Sequence, residues 1–237
     1  MYGHKVGQHP LITQLMEGVF NRKPPQPRYN ETWDVNKMLE HLKKLGKKSD
    51  IKILDKKLAM LMALTSASRC SELHQIYLSK MTDLGDSVSF PITRLTKSKR
   101  PNKLFLTLTF HKYTPDGNID VVSCLDTYVE VTETLRVSKK QHKCLFLGFI
   151  KPHKLISSST IARWLTTLMS EAGIDSTFKA HSTRAVSSSK AKAQGVSGSQ
   201  IIKCVNWSKA TTFQRFYNKP ITGQDDKQSF QNAVLSV

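Results

Sequence analysis

Apolar residues recur every three or four positions along several stretches of the chain, the period of an amphipathic helix. Leu11, Leu15 and Val19 predict a short helix over residues 10–20, and NRKPPQP (21–27) then reads as a stiff, helix-free linker. Thr32 is a candidate cap for a second helix with Val35, Met38, Leu39, Leu42 and Leu45 on one face, closed by Gly46. Leu54, Leu58, Leu61, Met62 and Thr65 carry the same period up to Arg69, which is read as the end of that helix. The period then falls to two. Val88, Phe90 and Ile92 alternate, as do Leu104, Leu106, Leu108 and Phe110, giving two strands joined by the basic loop TRLTKSKRPNK.

Helical spacing returns with Val122, Leu125 and Val129, and again with Ile161, Leu165, Leu168 and Met169 before Gly173. Ser197 and Gln200 form a capping box ahead of Ile201, Ile202 and Val205. Ala210, Phe213 and Tyr217 make a further helix stopped by Pro220, and Phe230, Ala233 and Val234 a last one. The pattern is α+β, mainly α, with a small antiparallel β-sheet inserted among the helices. Residues 1–31 read as a linker or the remnant of an N-terminal region, and 32–237 as one domain.

No run approaches the roughly 18–20 apolar residues of a membrane span, and the N-terminus lacks the pattern of a cleaved leader, so no membrane partner is expected. Four cysteines (Cys70, Cys124, Cys144, Cys204) stand far apart without a CxxC pair, which suits reduced thiols in an intracellular compartment. The eight histidines show no ligand spacing with cysteines or acids, so neither a metal site nor a cofactor is expected.

Charge changes the picture most. The 237 residues include 36 Lys and Arg against 18 Asp and Glu, a net +18. Residues 138–219 hold 14 basic and two acidic side chains, and residues 87–115 six basic and none acidic. Between them, residues 116–133 are acidic. Two concentrated basic blocks point to a polyanion, double-stranded DNA above all.

Against that background a set of residues suits phosphate chemistry. Arg69 and Glu72 are spaced i,i+3 in SASRCSEL. Lys97 lies in the basic hairpin loop. His181 and Arg184 form HSTR where a helix should begin, Trp207 sits between two helices, and Tyr217 closes TTFQRFYNKP.

In order and spacing this set resembles the tyrosine recombinase (phage integrase) family, whose signature is Arg, a hairpin Lys, His-x-x-Arg, His or Trp, and a Tyr nucleophile. Twenty-eight positions separate Arg69 from Lys97, 23 separate Arg184 from Trp207, and ten separate Trp207 from Tyr217. The stretch GQHPLITQLMEGVFNRKPPQPRYNETWDV is similar, more loosely, to the recombinase of DIRS-type retrotransposons. Two positions depart from the family: Ala67 stands where Gly is usual, and Asn206-Trp207 replaces the common Gly-His.

The resemblance implies a helical catalytic domain of tyrosine-recombinase type, covering residues 32–237 without the family's N-terminal clamp domain. It implies DNA strand breakage and rejoining through a 3′-phosphotyrosyl link, with no metal. Tyr217 would attack, Arg69 and Arg184 would brace the phosphate, and His181 would take the phenol proton. Lys97, or alternatively Lys99, would protonate the leaving oxygen. Trp207 would pack on the nucleophile helix and donate its indole N–H to a phosphate oxygen, and Glu72 would orient the shell. Lys99, Arg100, Lys103, Lys190, Lys192, Lys203 and Lys209 are candidate DNA contacts. Self-association on DNA through residues 225–237 and a nuclear location complete the expectation. A DNA-binding protein that has lost the chemistry, with residues 187–217 as a helix-turn-helix, and a type IB topoisomerase-like relaxing enzyme remain open alternatives.

Overall fold

Helix α3 (Ile51–Ser66) is apolar on nearly every side, as a helix must be when neighbours cover it all round. Leu58, Ala59, Met60, Met62 and Ala63 have no exposed surface. The computed structural model describes residues 6–24, 26–46, 50–93, 106–207 and 210–222. They fall into two units, residues 1–30 and 31–237.

The smaller unit is a 3-10 turn and helix α1 (Pro10–Arg22), whose first residue is a proline with φ already set for a helix. The larger unit begins with α2 (Val35–Leu45), followed by α3 and a single turn, α4 (Cys70–Leu73). Three strands come next, β1 (Thr82–Asp83), β2 (Ser87–Ile92) and β3 (Leu106–His111), followed by the helices α5 (Val121–Thr132), α6 (Lys139–Lys143), α7 (Ser158–Glu171), α8 (Ser182–Ala193), α9 (Gly198–Cys204) and α10 (Ala210–Phe216). Helices α5, α7 and α8 pack on α3.

The sheet is antiparallel in the order β1-β2-β3. Its register sets Val88 opposite Phe110, Phe90 opposite Leu108 and Ile92 opposite Leu106, so that the apolar residues share one face and pack toward α3 and α5. Strand β1 was not legible: both its residues are exposed and carry no alternation. Leu104 and the loop joining β2 to β3 lie outside the described residues.

Two local expectations are corrected. Thr32 does not cap α2. Helix α2 starts at Val35, so the cap falls to Asp34, whose carboxylate accepts from the Asn36 N–H at 2.9 Å. Thr32 is extended and pairs in parallel with Ile221: its N–H donates to the Pro220 carbonyl at 2.8 Å, and its carbonyl accepts from the Thr222 N–H at 2.7 Å. Arg69 does not end α3 either. That helix stops at Ser66, Ala67 turns into the left-handed region, and Arg69 opens α4.

A polar cluster is buried around Arg136. Arg136 donates to the carbonyls of Gln141, Cys144 and Leu145 at 2.6–2.7 Å, stapling α5 to the segment after α6. Asp55 on α3 is wholly buried nearby. Burial pushes its carboxyl up to about 8, only partly opposed by the Tyr128 hydroxyl and the Arg136 charge. The folded chain therefore holds this group neutral while the unfolded chain ionises it. Its contribution to stability is complete below about pH 4 and is lost as the pH rises to about 8. Asp55→Asn, which cannot ionise, should gain stability over the wild type across that range, by at most about 1.4 kcal/mol per pH unit. Urea unfolding at several pH values checks this; parallel pH profiles for the two proteins would refute it.

Candidate active site

The site is assembled around Arg184, in the first turn of α8 and only 4% exposed. A guanidinium so deep in the protein needs acceptors, and the chain provides main-chain carbonyls. One terminal nitrogen donates to Ala67 O at 2.7 Å and the other to Val205 O at 3.0 Å. Both acceptors sit at left-handed turns. Ala67 has φ 47°, and Asn206, next to Val205, has φ 55°.

At Asn206 the turn closes α9. The Trp207 N–H returns to Ile202 O and the Asn206 N–H to Lys203 O, the Schellman arrangement. These are the two positions where the sequence departs from a usual glycine, and positive φ is the physical reason for that glycine. Asn tolerates the conformation, whereas Ala carries the full steric cost of its Cβ. Ala67→Gly should therefore stabilise the fold by up to about 1 kcal/mol, and Asn206→Gly by less. Thermal unfolding of both variants checks the ranking, which fails if Asn206→Gly gains as much.

Glu72, 3% exposed, supplies the counter-charge. It accepts from the Arg69 backbone N–H at 2.8 Å and from the Arg69 guanidinium at 2.7 Å, and its carboxylate lies 3.7 Å from Arg184. One carboxylate thus faces two guanidinium groups and leaves an excess positive charge. Burial and the Arg69 charge lower Arg184 to about 10, with Glu72 and the neighbouring Tyr217 hydroxyl opposing them. Arg184 stays charged at neutral pH.

Tyr217 follows α10 directly, and its ring is stacked on Trp207 with centroids 4.7 Å apart and planes at 27°. Phe213 stacks on the same indole at 5.3 Å. The Arg184 guanidinium carbon lies 5.0 Å from the Trp207 ring and 5.7 Å from the Tyr217 ring, within cation–π range of both. Trp207 is itself buried, and its indole N–H has no hydrogen-bond partner among the described residues.

Arg69, His181, Arg184 and Tyr217 all line one cleft of about 450 Å³. His181 is the residue ahead of α8, and the indole of Trp33 steadies that end of the helix by donating to the Ser182 hydroxyl at 2.8 Å. Cys70 lines the cleft too, but burial pushes its thiol up to about 11, so it stays protonated and is a weak nucleophile.

The chain belongs to the phage integrase family. That family matches residues 31–221. The fold agrees with it: XerH site-specific recombinase bound to difH substrate, in a pre-cleavage complex, superposes with a TM-score of 0.61 at 14% identity, over 99% of this chain and 66% of that one. XerA recombinase gives 0.60 at 14% identity, over 99% and 78%. The Tn1549 transposon integrase in complex with transposon right end DNA gives 0.56 at 13% identity, over 90% and 68%. The chain spans 66% of the XerH chain's length. No curated protein sequence matches it.

Within this phage integrase fold, not every candidate reaches the cleft. Lys190 and Lys192 sit near the far end of α8, roughly 13–17 Å along its axis from His181, and Lys203 is on the exposed side of α9. Lys97, Lys99, Arg100, Lys103 and Lys209, and the segment 225–237, lie outside the described residues. Two cations that no motif singled out do line the cleft, Arg163 on α7 and Lys179 just before His181. Their only signal was membership of the basic block.

The charge imbalance has a measurable consequence. Glu72→Gln removes the carboxylate between two guanidinium groups and should cost roughly 3 kcal/mol of stability. Millimolar sulfate should recover more of the thermal midpoint in this variant than in the wild type. Equal sulfate shifts in the two proteins would contradict the picture of a cleft short of negative charge.

Proposed function

We propose that this cleft breaks and rejoins DNA strands through a 3′-phosphotyrosyl intermediate, with Tyr217 as the nucleophile. The observation that carries the reading is the seat of Tyr217: its ring lies flat on Trp207 with the hydroxyl beside buried Arg184, in a cleft shared with Arg69 and His181.

The Tyr217 oxygen bonds to phosphorus as its proton passes to His181, the imidazole that shares its cleft. The bond from phosphorus to the 5′ oxygen breaks, and that oxygen takes a proton from Lys97, or from Lys99 in the same loop, leaving a free 5′-hydroxyl. Charge building on the non-bridging oxygens is met by Arg69 and Arg184, cations fixed in place before the reaction begins. An ordinary tyrosine hydroxyl is almost wholly protonated at neutral pH, so attack and proton removal are coupled. Rejoining is the reverse, with a 5′-hydroxyl attacking the phosphotyrosine.

Duplex DNA is the substrate in this reading, gripped by the basic residues around the cleft, and no divalent metal enters. The reading extends to a transposable-element recombinase of DIRS-like type acting in the nucleus and assembling on DNA through residues 225–237. The resemblance of the N-terminal stretch and the tail's spaced apolar residues support that extension.

A nicked suicide substrate incubated with the protein in chelator, then run on a denaturing gel, tests the chemistry. A covalent adduct should form without metal, and Tyr217→Phe should abolish it while DNA affinity stays nearly the same. Arg184→Lys keeps the charge but loses the forked donors, and should slow adduct formation at least ~100-fold. If about 6–10 phosphates are contacted, affinity should fall roughly 10³–10⁵-fold between 50 and 200 mM salt. An adduct that survives Tyr217→Phe, or cleavage that requires metal, would overturn the reading.

A further inference from the structure

Helix α8 contains three consecutive serines, and their hydroxyls do different work. Ser187 donates back to Thr183 O at 2.8 Å, and Ser188 to Arg184 O at 2.8 Å, the ordinary fate of a serine inside a helix. Ser188 also reaches Tyr217 O, at a long 3.4 Å. Ser189 is turned away from its own helix. Its hydroxyl donates to Tyr217 O at 2.8 Å and accepts from the Lys219 N–H at 3.0 Å. A single buried oxygen, 3% exposed with its residue, therefore grips the chain on both sides of Asn218, immediately after Tyr217.

Tyr217 needs such a grip. Helix α10 has seven residues, too few to hold its own end in place. Its last turn is spent by the time the chain reaches Tyr217, whose N–H closes on Phe213 O. Ring stacking on Trp207 fixes the plane of the phenol but permits sliding across the indole face. The Ser189 hydroxyl removes that freedom by fixing the main chain, and three residues on Thr32 holds Pro220 and Thr222. Because Ser189 is on the helix that carries Arg184, the grip sets nucleophile and phosphate-bracing cation on one rigid element.

We propose that Ser189 is a positioning residue for Tyr217, fixing the reach of the phenol oxygen relative to Arg184; this rests on the reading of Tyr217 as nucleophile. A misplacement of about 1 Å in a reacting group can cost on the order of 100-fold in rate. Ser189→Ala deletes one oxygen and adds no bulk, so the effect should fall on the chemical step rather than on folding or DNA binding.

The test uses the full chain and the nicked suicide substrate at saturating protein. Ser189→Ala should slow single-turnover adduct formation at least tenfold with DNA affinity within twofold of wild type, while Ser187→Ala should match wild type in both. Amide hydrogen exchange gives a readout independent of activity. The Lys219 N–H should be protected in the wild type and exchange faster in Ser189→Ala, with the α8 amides unchanged. An adduct rate for Ser189→Ala equal to that of Ser187→Ala would overturn the proposal, as would an unprotected Lys219 amide in the wild type, a result that stands even if the variant does not fold. A wild-type chain that forms no adduct, or a Tyr217→Phe chain that does, overturns the nucleophile reading and this one with it. A normal Tyr217 adduct with no Ser189 effect removes this one alone.

Discussion

A guanidinium buried beneath an open cleft costs several kcal/mol unless the protein surrounds it with acceptors, and meeting that demand at Arg184 shapes much of the larger unit. The left-handed turn at Ala67 exposes one carbonyl to it, and the close of α9 at Val205 and Asn206 exposes another. Glu72 adds a carboxylate that must also serve Arg69. Trp207 and Tyr217 then cover the cation with two aromatic faces. Each neighbour thus packs against the same buried cation, and the aromatic pair includes the residue proposed as nucleophile.

The charge balance left by this arrangement is incomplete: one carboxylate cannot neutralise two arginines, and Arg163, Lys179 and His181 line the same cleft. Main-chain carbonyls hold Arg184 without cancelling its charge. An anion entering the cleft meets cations already oriented and partly stripped of water, which is where a fixed charge acts most strongly.

Much of this was legible from residue order. Arg69, His181, Arg184 and Tyr217 lie far apart along the chain, yet type and spacing grouped them, and the fold brings them to one cleft. Helical and strand periods located α2, α3, α5, α7, α9 and α10 and the pairing of β2 with β3, because each buries one regular face or, for α3, all of them. What escaped is what periodicity does not encode. The cap of α2 turned on which of two neighbouring polar residues stood directly before the helix, Thr32 or Asp34. Arg69 looked like a helix end because the left-handed break at Ala67 has no signature without glycine. Arg163 and Lys179 were indistinguishable from other members of a basic block. Ser189 was one serine in a run of three, separated from its neighbours only by the direction its hydroxyl takes.

The pairing of Thr32 with Ile221 is parallel, and this has a mechanical meaning. The strand containing Thr32 enters the unit from its N-terminal side, and the strand containing Ile221 leaves toward its C-terminal side, so the two free directions point opposite ways along the pair. A pull between the incoming linker and the outgoing tail therefore loads the two hydrogen bonds in shear, together, and does not peel them one at a time. Tension along the pair is therefore shared by Thr32 and the Pro220–Thr222 segment, whose first residue lies three beyond Tyr217.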